Sequence, residues 1–304
     1  MKIENWTTDN IPDLTGKTII VTGGNSGLGY ESVKAFAQKG AHVILASRSI
    51  DKGKAAKNEM GNVNGSIEVM QLDLGDFASV KNFADKFKEK FEKLDVLLNN
   101  AGIMTTPYFT TKDGLEGQMG TNHFGHFALT GHLFELIKNT PDSRIVNVSS
   151  AGHKAGKMDF DNLLFDGGKG YGRMKSYGRS KLSNLLFTYE LQRRFEKAGI
   201  NSIAVASHPG GTQTNLDRHI NNKLWFKVLT PLFKMMTMKQ EQGALSQIRA
   251  CTDTEVKGGE YYGPNKGMKG WPVKVESNEA SHNTEDAKKL WAISEEKTGI
   301  KYIF

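Results

Sequence analysis

Short apolar runs rich in β-branched residues and leucine alternate along this chain with longer amphipathic stretches. The apolar runs occupy residues 17–23, 41–47, 67–73, 95–100, 144–150 and 201–207. Most of them show little polar alternation, which is typical of parallel strands that are covered on both faces. The pattern between them predicts helices over residues 27–39, 51–60, 76–92, 114–138, 177–198 and 241–252. This alternation predicts an α/β fold with a doubly wound parallel sheet and right-handed crossovers.

Composition excludes several classes of protein. The chain has 304 residues, of which 38% are hydrophobic and 24% are charged, so it can bury a core and is unlike a disordered chain. No stretch approaches the roughly 18 apolar residues of a membrane-spanning helix. No repeat or low-complexity linker divides the chain. We therefore expect a single domain over residues 1–304 that has no transmembrane segment.

Charge and cysteine content narrow the partners and the location. The net charge is +7, but the lysines are spread along the chain and often stand beside acidic residues, as in residues 86–93. This pattern is typical of a solvated surface, so we expect no nucleic-acid partner. The single cysteine, Cys251, excludes an intrachain disulfide and fits a reducing compartment. Because residues 1–14 also lack the apolar centre of a signal peptide, we expect a cytoplasmic protein.

The first apolar run leads directly into a glycine-rich turn. Its glycines are Gly23, Gly27 and Gly29, and a helical pattern follows at once. A strand, a glycine turn and a helix together aim free backbone N–H groups and the positive end of the helix at a pyrophosphate. The spacing differs from the more common Gly-x-Gly-x-x-Gly. Because the turn stands at the first strand–helix junction, it predicts a dinucleotide-binding site.

The end of the second apolar run bears on the choice of dinucleotide. An acidic residue here accepts hydrogen bonds from the ribose 2′-hydroxyl of NAD, whereas an arginine accommodates the 2′-phosphate of NADP. The run ends in Ser47 and Arg48. Arg48 therefore indicates NADP(H) as the cofactor, and a surface arginine paired with Asp51 is the alternative interpretation.

Two further strings complete a pattern that resembles the short-chain dehydrogenase/reductase family. They are Asn99-Asn100-Ala101-Gly102 after the fourth run and Tyr177-Gly178-Arg179-Ser180-Lys181 at the start of a later helix. The resemblance covers residues 14–299. The strings at 180–191, 208–216 and 290–300 are similar to the retinol dehydrogenase-like branch. The resemblance implies a Rossmann-like fold with helices on both faces of the sheet, and an NADP(H)-dependent oxidoreductase.

The same resemblance implies roles for individual residues. Besides Arg48, those that would contact the cofactor are Gly23, Asn25, Ser26, Gly27, Leu28, Gly29, Asp73, Leu74, Asn99, Ala101, Gly102, Tyr177, Lys181, Pro209, Gly210 and Thr214. Asp73 and Leu74 would lie near the adenine, and Thr214 would reach the nicotinamide carboxamide. The family usually has an aliphatic residue where this chain has Thr212. The implied catalytic residues are Asn122, Ser150, Tyr177 and Lys181.

A tyrosine four residues before a lysine carries little information in this chain. Of its 8 tyrosines, those with this spacing are Tyr30, Tyr108, Tyr171, Tyr177 and Tyr262. Tyr262 precedes a Gly-Pro pair that should break a helix. Tyr171 is the serious rival, but its segment, residues 167–176, is rich in glycine and is a poor helix interior. Leucines at helical spacing follow Tyr177, so we expect its pair with Lys181 to be held firmly.

The implied chemistry needs a phenol beside an ammonium. Hydride transfer to a carbonyl carbon builds negative charge on the oxygen, and a proton must follow. A free tyrosine has a pKa near 10, and a nearby ammonium lowers the pKa of a phenol. Tyr177 would be the acid–base, Ser150 would orient the carbonyl oxygen, and Asn122 would support a proton relay to Lys181. Alternatively, Ser150 caps the following turn and Asn122 is a buried residue that satisfies helix backbone.

Residues 215–240 are predicted to cover the substrate. Their central part, residues 223–239, is rich in methionine and aromatic side chains punctuated by lysine, which suits a loop over an apolar alcohol, ketone or aldehyde. A subunit interface, as in a homo-oligomer, and a membrane-surface contact are alternatives. Reduction of a C=C bond and a catalytically silent NADP(H)-binding sensor also remain open.

Three histidines fall on one predicted helix, but they do not indicate a metal site. His123, His126 and His132 have no H-E-x-x-H spacing and no cysteine partner. Packing or surface roles are therefore favoured for these side chains, and we expect no metal ion.

Overall fold

The computed structural model of the chain describes residues 5–212 and 237–304. The strands of its sheet are β1 (Thr18–Thr22), β2 (His42–Ser47), β3 (Ser66–Gln71), β4 (Val96–Asn99), β5 (Arg144–Val148), β6 (Ile203–Ser207), β7 (Tyr261–Pro264) and β8 (Pro272–Lys274). Their order is β3-β2-β1-β4-β5-β6-β7-β8, and every neighbouring pair is parallel except β7 with β8. The predicted α/β fold is confirmed.

Helices cover both faces of this sheet. They are α1 (Gly27–Gln38), α2 (Ile50–Met60), α3 (Phe77–Lys88), α4 (Gly117–Met119), α5 (Gly125–His132), α6 (Phe134–Asn139), α7 (Arg173–Ala198), α8 (Gln240–Thr252) and α9 (Thr284–Thr298). A π-helical turn, Gly120–Phe124, joins α4 to α5. Within residues 5–212 and 237–304, no helix is both long and apolar enough to cross a membrane.

Burial on both sides explains the unbroken apolar runs. In β1, Ile19 and Val21 pack with α1 and α8 on one face, whereas Ile20 packs with α3, α5 and α7 on the other. All three side chains have no exposed surface. Successive residues of a strand point to opposite faces, so a strand between two helical layers needs apolar residues at every position.

The chain order reverses beside β1. After β3 the chain crosses back over β1, and β4 pairs with the free side of that strand. In open α/β sheets, ligands bind at such a reversal, outside the carboxyl ends of the strands. Here the reversal brings the turn after Thr22 next to the loop that begins at Asn100.

The structure corrects several predicted boundaries. Residues 114–138 are not one helix, because the π-helical turn widens the backbone and a break at Leu133 separates α5 from α6. The helix of Tyr177 begins four residues earlier, at Arg173. The predicted helix over residues 76–92 ends at Lys88. Most of the segment predicted to cover the substrate, residues 215–240, lies outside the described residues, and so does Thr214.

Candidate functional site

A cavity of about 770 Å³ opens at the reversal point of the sheet. Its volume is that of a site for a cofactor-sized molecule. The predicted cofactor-binding residues that line it are Gly23, Asn25, Ser26, Gly27, Leu28, Gly29, Arg48, Asp73, Leu74, Ala101, Gly102, Tyr177, Lys181 and Pro209. Gly210 follows Pro209 but is not part of the lining. The structure thus brings together residues that are up to 186 positions apart (209 − 23).

The glycine turn has no space for a side chain at Gly29 and little at Gly23, which also has a φ of +67°. A Cβ on Gly29 would lie 2.3 Å from the carbonyl oxygen of Gly23, and a Cβ on Gly23 would lie 3.1 Å from Ala101. Gly27 begins α1 with a φ of +58° and faces open space. Ser26 precedes α1 without capping it through its side chain. The first N–H groups of α1 therefore remain for a ligand, and the residues present fit a bound pyrophosphate.

A polar layer supports the floor of the cavity. The Thr22 hydroxyl oxygen accepts the backbone N–H groups of Asn100 and Ala101, both at 2.9 Å. The Asn100 amide in turn donates to the Thr22 carbonyl at 2.8 Å. Asn99 does not line the cavity, because its amide donates to Asn147 at 2.9 Å and to Thr130 at 3.1 Å beneath the floor. Asn99 therefore stabilises neighbouring elements of the fold.

The far end of the cavity, beyond β2, carries two exposed cations. Arg48 and Lys52 both line it, together with Ser47 and Ser49. The described residues show no ion pair between Arg48 and Asp51, so the alternative interpretation of Arg48 finds no contact there. Lys52 was missed in the sequence, although it lies in the first turn of α2, four residues after Arg48.

Tyr177 and Lys181 lie on one face of α7 at the opposite end of the cavity. Their exposed fractions are only 6% and 4%. The Lys181 ammonium lies 5.9 Å from the centre of the Tyr177 ring and donates to the Val148 carbonyl at 2.9 Å. Burial of the ammonium lowers the pKa of Lys181 to about 8. A lysine in this setting exchanges its proton near neutral pH.

Ser150 stands beside the Tyr177 ring. It follows β5 and caps a short 3-10 helix, Ala151–Ala155, by accepting the Gly152 N–H at 3.1 Å. Gly152 separates the two side chains: a Cβ there would lie 3.1 Å from the Tyr177 ring and 3.5 Å from the Ser150 hydroxyl oxygen. A hydroxyl that accepts a bond still has its own proton to donate. Ser150 is not part of the cavity lining, but its hydroxyl can cap the turn and still donate to a ligand that reaches it.

The neighbouring serine is committed elsewhere. Ser149 is 2% exposed and donates its hydroxyl to the Lys181 carbonyl at 2.8 Å. It lines the cavity, but its proton is used to hold β5 against α7. Of these two adjacent serines, Ser150 is thus the one with a free donor.

Asn122 lies behind the lining rather than in it. In the π-helical turn, its side chain accepts the Ile103 N–H at 2.8 Å and donates to the Ile103 carbonyl at 3.0 Å and to Ser180 at 2.9 Å. A Cβ on Gly102 would lie 3.2 Å from the Asn122 side-chain oxygen and 3.6 Å from the Lys181 ammonium. Asn122 therefore satisfies the backbone of a loop residue, rather than the helix backbone of the alternative interpretation, and does so beside Lys181.

The rival tyrosines have other surroundings. Tyr171 precedes α7, and its hydroxyl donates to the Thr106 carbonyl and accepts from the Gln118 amide, both at 2.9 Å. Burial raises the pKa of Tyr171. Tyr262 lies in β7 and donates to Glu260 at 2.8 Å. Tyr30 lies on α1, and Tyr108 stacks edge-on against Tyr171. Of these tyrosines, Tyr177 is the one whose side chain lines the cavity.

The histidines on the predicted helix are engaged in contacts of the fold. The rings of His123 and His126 are each 1% exposed, whereas His132 is half-buried. His123 bonds to Ser294 of α9 at 2.8 Å. Across residues 5–212 and 237–304, no group of three or more histidine, cysteine or acidic side chains is arranged to hold a metal ion.

Comparison with known proteins identifies relatives along most of the chain. The family model described as short chain dehydrogenase matches residues 17–225. The chain is 38% identical over 295 residues to retinol dehydrogenase 12 of Mus musculus, covering 95% of this chain and 88% of that protein. It is 42% identical over 244 residues to retinol dehydrogenase 11 of Homo sapiens, covering 80% of this chain and 74% of that protein.

Solved structures give a matching picture. The structure is similar to that of an uncharacterized protein from Mycobacterium Paratuberculosis, with a TM-score of 0.84, 37% identity, and coverage of 99% of this chain and 100% of that one. It is also similar to the Pseudomonas aeruginosa RhlG/NADP active-site complex, with a TM-score of 0.68, 20% identity, and coverage of 84% and 97%. The second likeness shows the fold alone.

Proposed function

The chain belongs to the short-chain dehydrogenase family and is an oxidoreductase, and we propose that it interconverts an apolar alcohol and its ketone or aldehyde with NADP(H). The retinol dehydrogenases that it resembles are named for an apolar alcohol, which supports alcohol–carbonyl interconversion. The observation that carries the proposal is that the Tyr177 ring and the Ser150 hydroxyl both lie beside Gly152, with the Lys181 ammonium 5.9 Å from the centre of that ring.

This arrangement suits the proton chemistry of carbonyl reduction. A bound nicotinamide supplies the hydride that reaches the carbonyl carbon. We assign Ser150 to donate a hydrogen bond to the carbonyl oxygen, and a donor so placed can contribute about 3–4 kcal/mol to stabilising the developing charge. Tyr177 gives the oxygen its proton. Lys181 favours the tyrosinate that remains, because an opposite charge nearby stabilises an anion.

Asn122 supports this corner from behind. Its side chain holds the backbone of Ile103, a cavity residue, and it lies on the same side of Gly102 as the Lys181 ammonium. We infer that it fixes the wall along which a proton reaches Lys181. The low pKa of Lys181, about 8, makes that group able to pass a proton on near neutral pH.

The cations at the far end favour NADP(H) over NAD(H). Arg48 and Lys52 would meet a 2′-phosphate beyond β2, where no paired carboxylate of Asp51 competes for Arg48. Charge-assisted hydrogen bonds to a phosphate are among the stronger polar contacts.

The inner lining favours an apolar substrate. Ile103 and Met104 line the cavity, and Met238 forms an isolated β-bridge with Thr212, which bonds to the Pro209 carbonyl through its hydroxyl. The two ends of the intervening segment therefore lie side by side, close to Pro209 in the cavity wall. This supports the proposal that residues 215–240 cover a bound substrate. The cytoplasmic location and the oligomeric state stay predictions.

A panel of carbonyl compounds tests the proposal. The purified chain should oxidise NADPH in the presence of long-chain aldehydes or apolar ketones, and less efficiently in the presence of short polar carbonyl compounds. With the same substrates, it should use NADPH more efficiently than NADH. Enones in the same panel separate C=O from C=C reduction by the product formed. NADPH binding without oxidation by any member of the panel would support the sensor instead, and a preference for NADH would overturn the assignment of the cofactor.

A further inference from the structure

His126 lies beneath the floor of the cavity and joins two parts of the site that are far apart in the chain. The residue lies on α5 with 1% of its surface exposed. Its Nδ1 lies 3.0 Å from the Asn122 carbonyl oxygen, and its Nε2 lies 2.9 Å from the Thr22 hydroxyl oxygen. Both ring nitrogens are therefore engaged, one with the π-helical turn and one with the end of β1.

The partners fix the protonation of this ring. A carbonyl oxygen can only accept, so Nδ1 carries the proton and donates to Asn122. Nε2 is then the acceptor, and the Thr22 hydroxyl donates to it. With its own proton so placed, Thr22 keeps both lone pairs for the N–H groups of Asn100 and Ala101. Without the His126 ring, the Thr22 hydroxyl could donate its proton only to the Leu98 carbonyl, at the longer distance of 3.3 Å.

We propose that His126 is a positioning residue that couples the dinucleotide turn to the catalytic corner by holding Thr22 and the Asn122 backbone in one hydrogen-bonded line. This inference rests on the proposed function and adds a residue to it. The line continues at both ends. Asn122 holds Ile103 in the cavity wall, and Asn100 bonds to Thr22 and to Gln247 of α8.

A π-helical turn makes such a support useful. It interrupts the regular i to i+4 ladder of the helix, and π turns occur often at functional sites. His126 stands four residues after Asn122, so its ring reaches the carbonyl at the point where the ladder is disturbed. The Asn122 backbone is thereby fixed from one side and its side chain from the other.

The surroundings keep the ring neutral. Burial lowers the pKa of His126 to about 4, and the charge of Lys181 on α7 acts in the same direction, whereas the bond to Asn122 raises it. His123, on the adjoining turn, is buried as well, with its pKa lowered to about 3. A neutral His126 is what the bond from Thr22 requires, since a charged ring would have no acceptor nitrogen.

Three substitutions of His126 separate its two bonds. His126→Phe keeps a ring and loses both bonds, His126→Asn keeps a donor near Asn122, and His126→Gln keeps an acceptor that reaches Thr22. His123→Phe is the matched control, because it removes a buried imidazole and one hydrogen bond, to Ser294, away from the cavity. For each variant, NADPH dissociation is measured by direct binding, kcat by carbonyl reduction, and stability by thermal unfolding.

The coupling predicts a distinct pattern of results. Against His123→Phe, His126→Phe should lower kcat at least tenfold and raise the NADPH dissociation constant at least threefold. His126→Asn should recover kcat more than affinity, and His126→Gln should recover affinity more than kcat. If His126→Phe matches the control within twofold in both quantities, the inference is wrong. If His126→Phe does not fold, the other two variants are compared with the wild-type chain. The inference then requires that His126→Asn retain kcat better than affinity and that His126→Gln retain affinity better than kcat. If both variants retain the two quantities equally, the inference is contradicted.

The binding readout separates this inference from the proposed function. A wild-type chain that reduces no carbonyl would end the proposed function while leaving the effect of His126 on NADPH affinity to be measured. Active wild-type enzyme with unchanged His126 variants would end the inference alone.

Discussion

The two ends of the cavity are built by different means. The turn around Gly27 and Gly29 is built from backbone: Gly29 has no space for a Cβ, and Gly27 has a φ of +58° that favours glycine. The catalytic corner consists of buried polar side chains, with Tyr177 at 6% and Lys181 at 4% exposure. The turn lowers the stability of the fold little beyond the cost of ordering glycines, which are freer than other residues in the unfolded chain. The corner instead buries the Lys181 ammonium, and this burial lowers the pKa of Lys181 to about 8.

This contrast indicates how each end should respond to mutation. At the turn, an added methyl group changes the backbone shape that both the fold and the cofactor require, so stability and cofactor affinity should fall together. At the corner, removing a buried polar group should harm turnover while leaving the fold unharmed or more stable, since active sites keep groups that the fold alone would not.

The largest expected effect comes from removing the phenol at the corner. Tyr177→Phe should lower kcat for carbonyl reduction by about 10³-fold, because it removes the hydroxyl assigned to give the carbonyl oxygen its proton. NADPH affinity should change less than threefold, since the aromatic ring remains. Steady-state kinetics and direct NADPH titration measure the two quantities.

Tyr171→Phe is the matched control for that substitution. Its hydroxyl holds Thr106 and Gln118, so the variant should lose about 1 kcal/mol of stability and keep kcat within a few-fold. The reverse result, with Tyr171→Phe inactive and Tyr177→Phe active, would move the acid–base role to Tyr171.

Lys181→Met should separate activity from stability. Turnover should fall about 10²-fold, the lower range for a lost proton-transfer group. The cofactor-free protein should gain about 1–3 kcal/mol, because a buried charge is replaced by an apolar chain of similar length. The Val148 carbonyl does not lose its last partner, since the Asn184 amide also donates to it at 3.1 Å.

The gain from Lys181→Met should depend on pH in a defined direction. The folded-state pKa of Lys181 is about 8, below the value of about 10.5 for an exposed lysine. The loss of folding stability caused by burying the Lys181 charge is therefore fully present below pH 8, and it disappears as the pH rises towards 10.5. Thermal unfolding of both proteins from pH 7 to 10 should show the gain shrinking, and a gain that grows with pH would contradict this assignment.

At the turn, two neighbouring glycines should respond differently. Gly29→Ala places a methyl group 2.3 Å from the Gly23 carbonyl oxygen and should cost about 1–3 kcal/mol of stability, as overpacking does, with NADPH binding reduced as well. Gly27→Ala meets nothing within 4 Å, but its φ of +58° costs about 1–2 kcal/mol for a residue with a Cβ. Because Gly27 lines the cavity, NADPH affinity should also fall, by about tenfold.

Thermal unfolding with and without NADPH distinguishes these two variants. Gly29→Ala should lower the unfolding temperature of the cofactor-free protein more than Gly27→Ala. A Gly29→Ala protein with full stability would show that the turn relaxes and that its shape is not what secures binding.

The sequence predicted the inner sheet because those strands are apolar on both faces. It did not predict β7 and β8, since β7 ends in a Gly-Pro pair and β8 has three residues, too short for a pattern. Helix α9 was missed although Ala287, Leu290 and Trp291 are buried at helical spacing. That signal was present and could have been used.

The candidate site was predictable where one short string carries the chemistry. The glycine turn and the Tyr177–Lys181 pair are such strings. The pKa of Lys181 and the bond between His126 and Thr22, which are 104 positions apart, arise only when distant elements pack together. The role of Asn122 as a support for Ile103 likewise depends on a loop that the sequence left undefined.

The smallest expected effect lies at the exposed end beyond the turn. Arg48→Asp should lower the ratio of kcat/KM for NADPH to that for NADH by about tenfold, the equivalent of about 1.4 kcal/mol, because the carboxylate repels a 2′-phosphate and accepts from a ribose hydroxyl. Both Arg48 and Lys52 are exposed, so added salt should shrink the effect. Lys52→Ala should give a weaker change in the same direction. An unchanged ratio for Arg48→Asp at low ionic strength would show that selection between the two cofactors does not depend on Arg48.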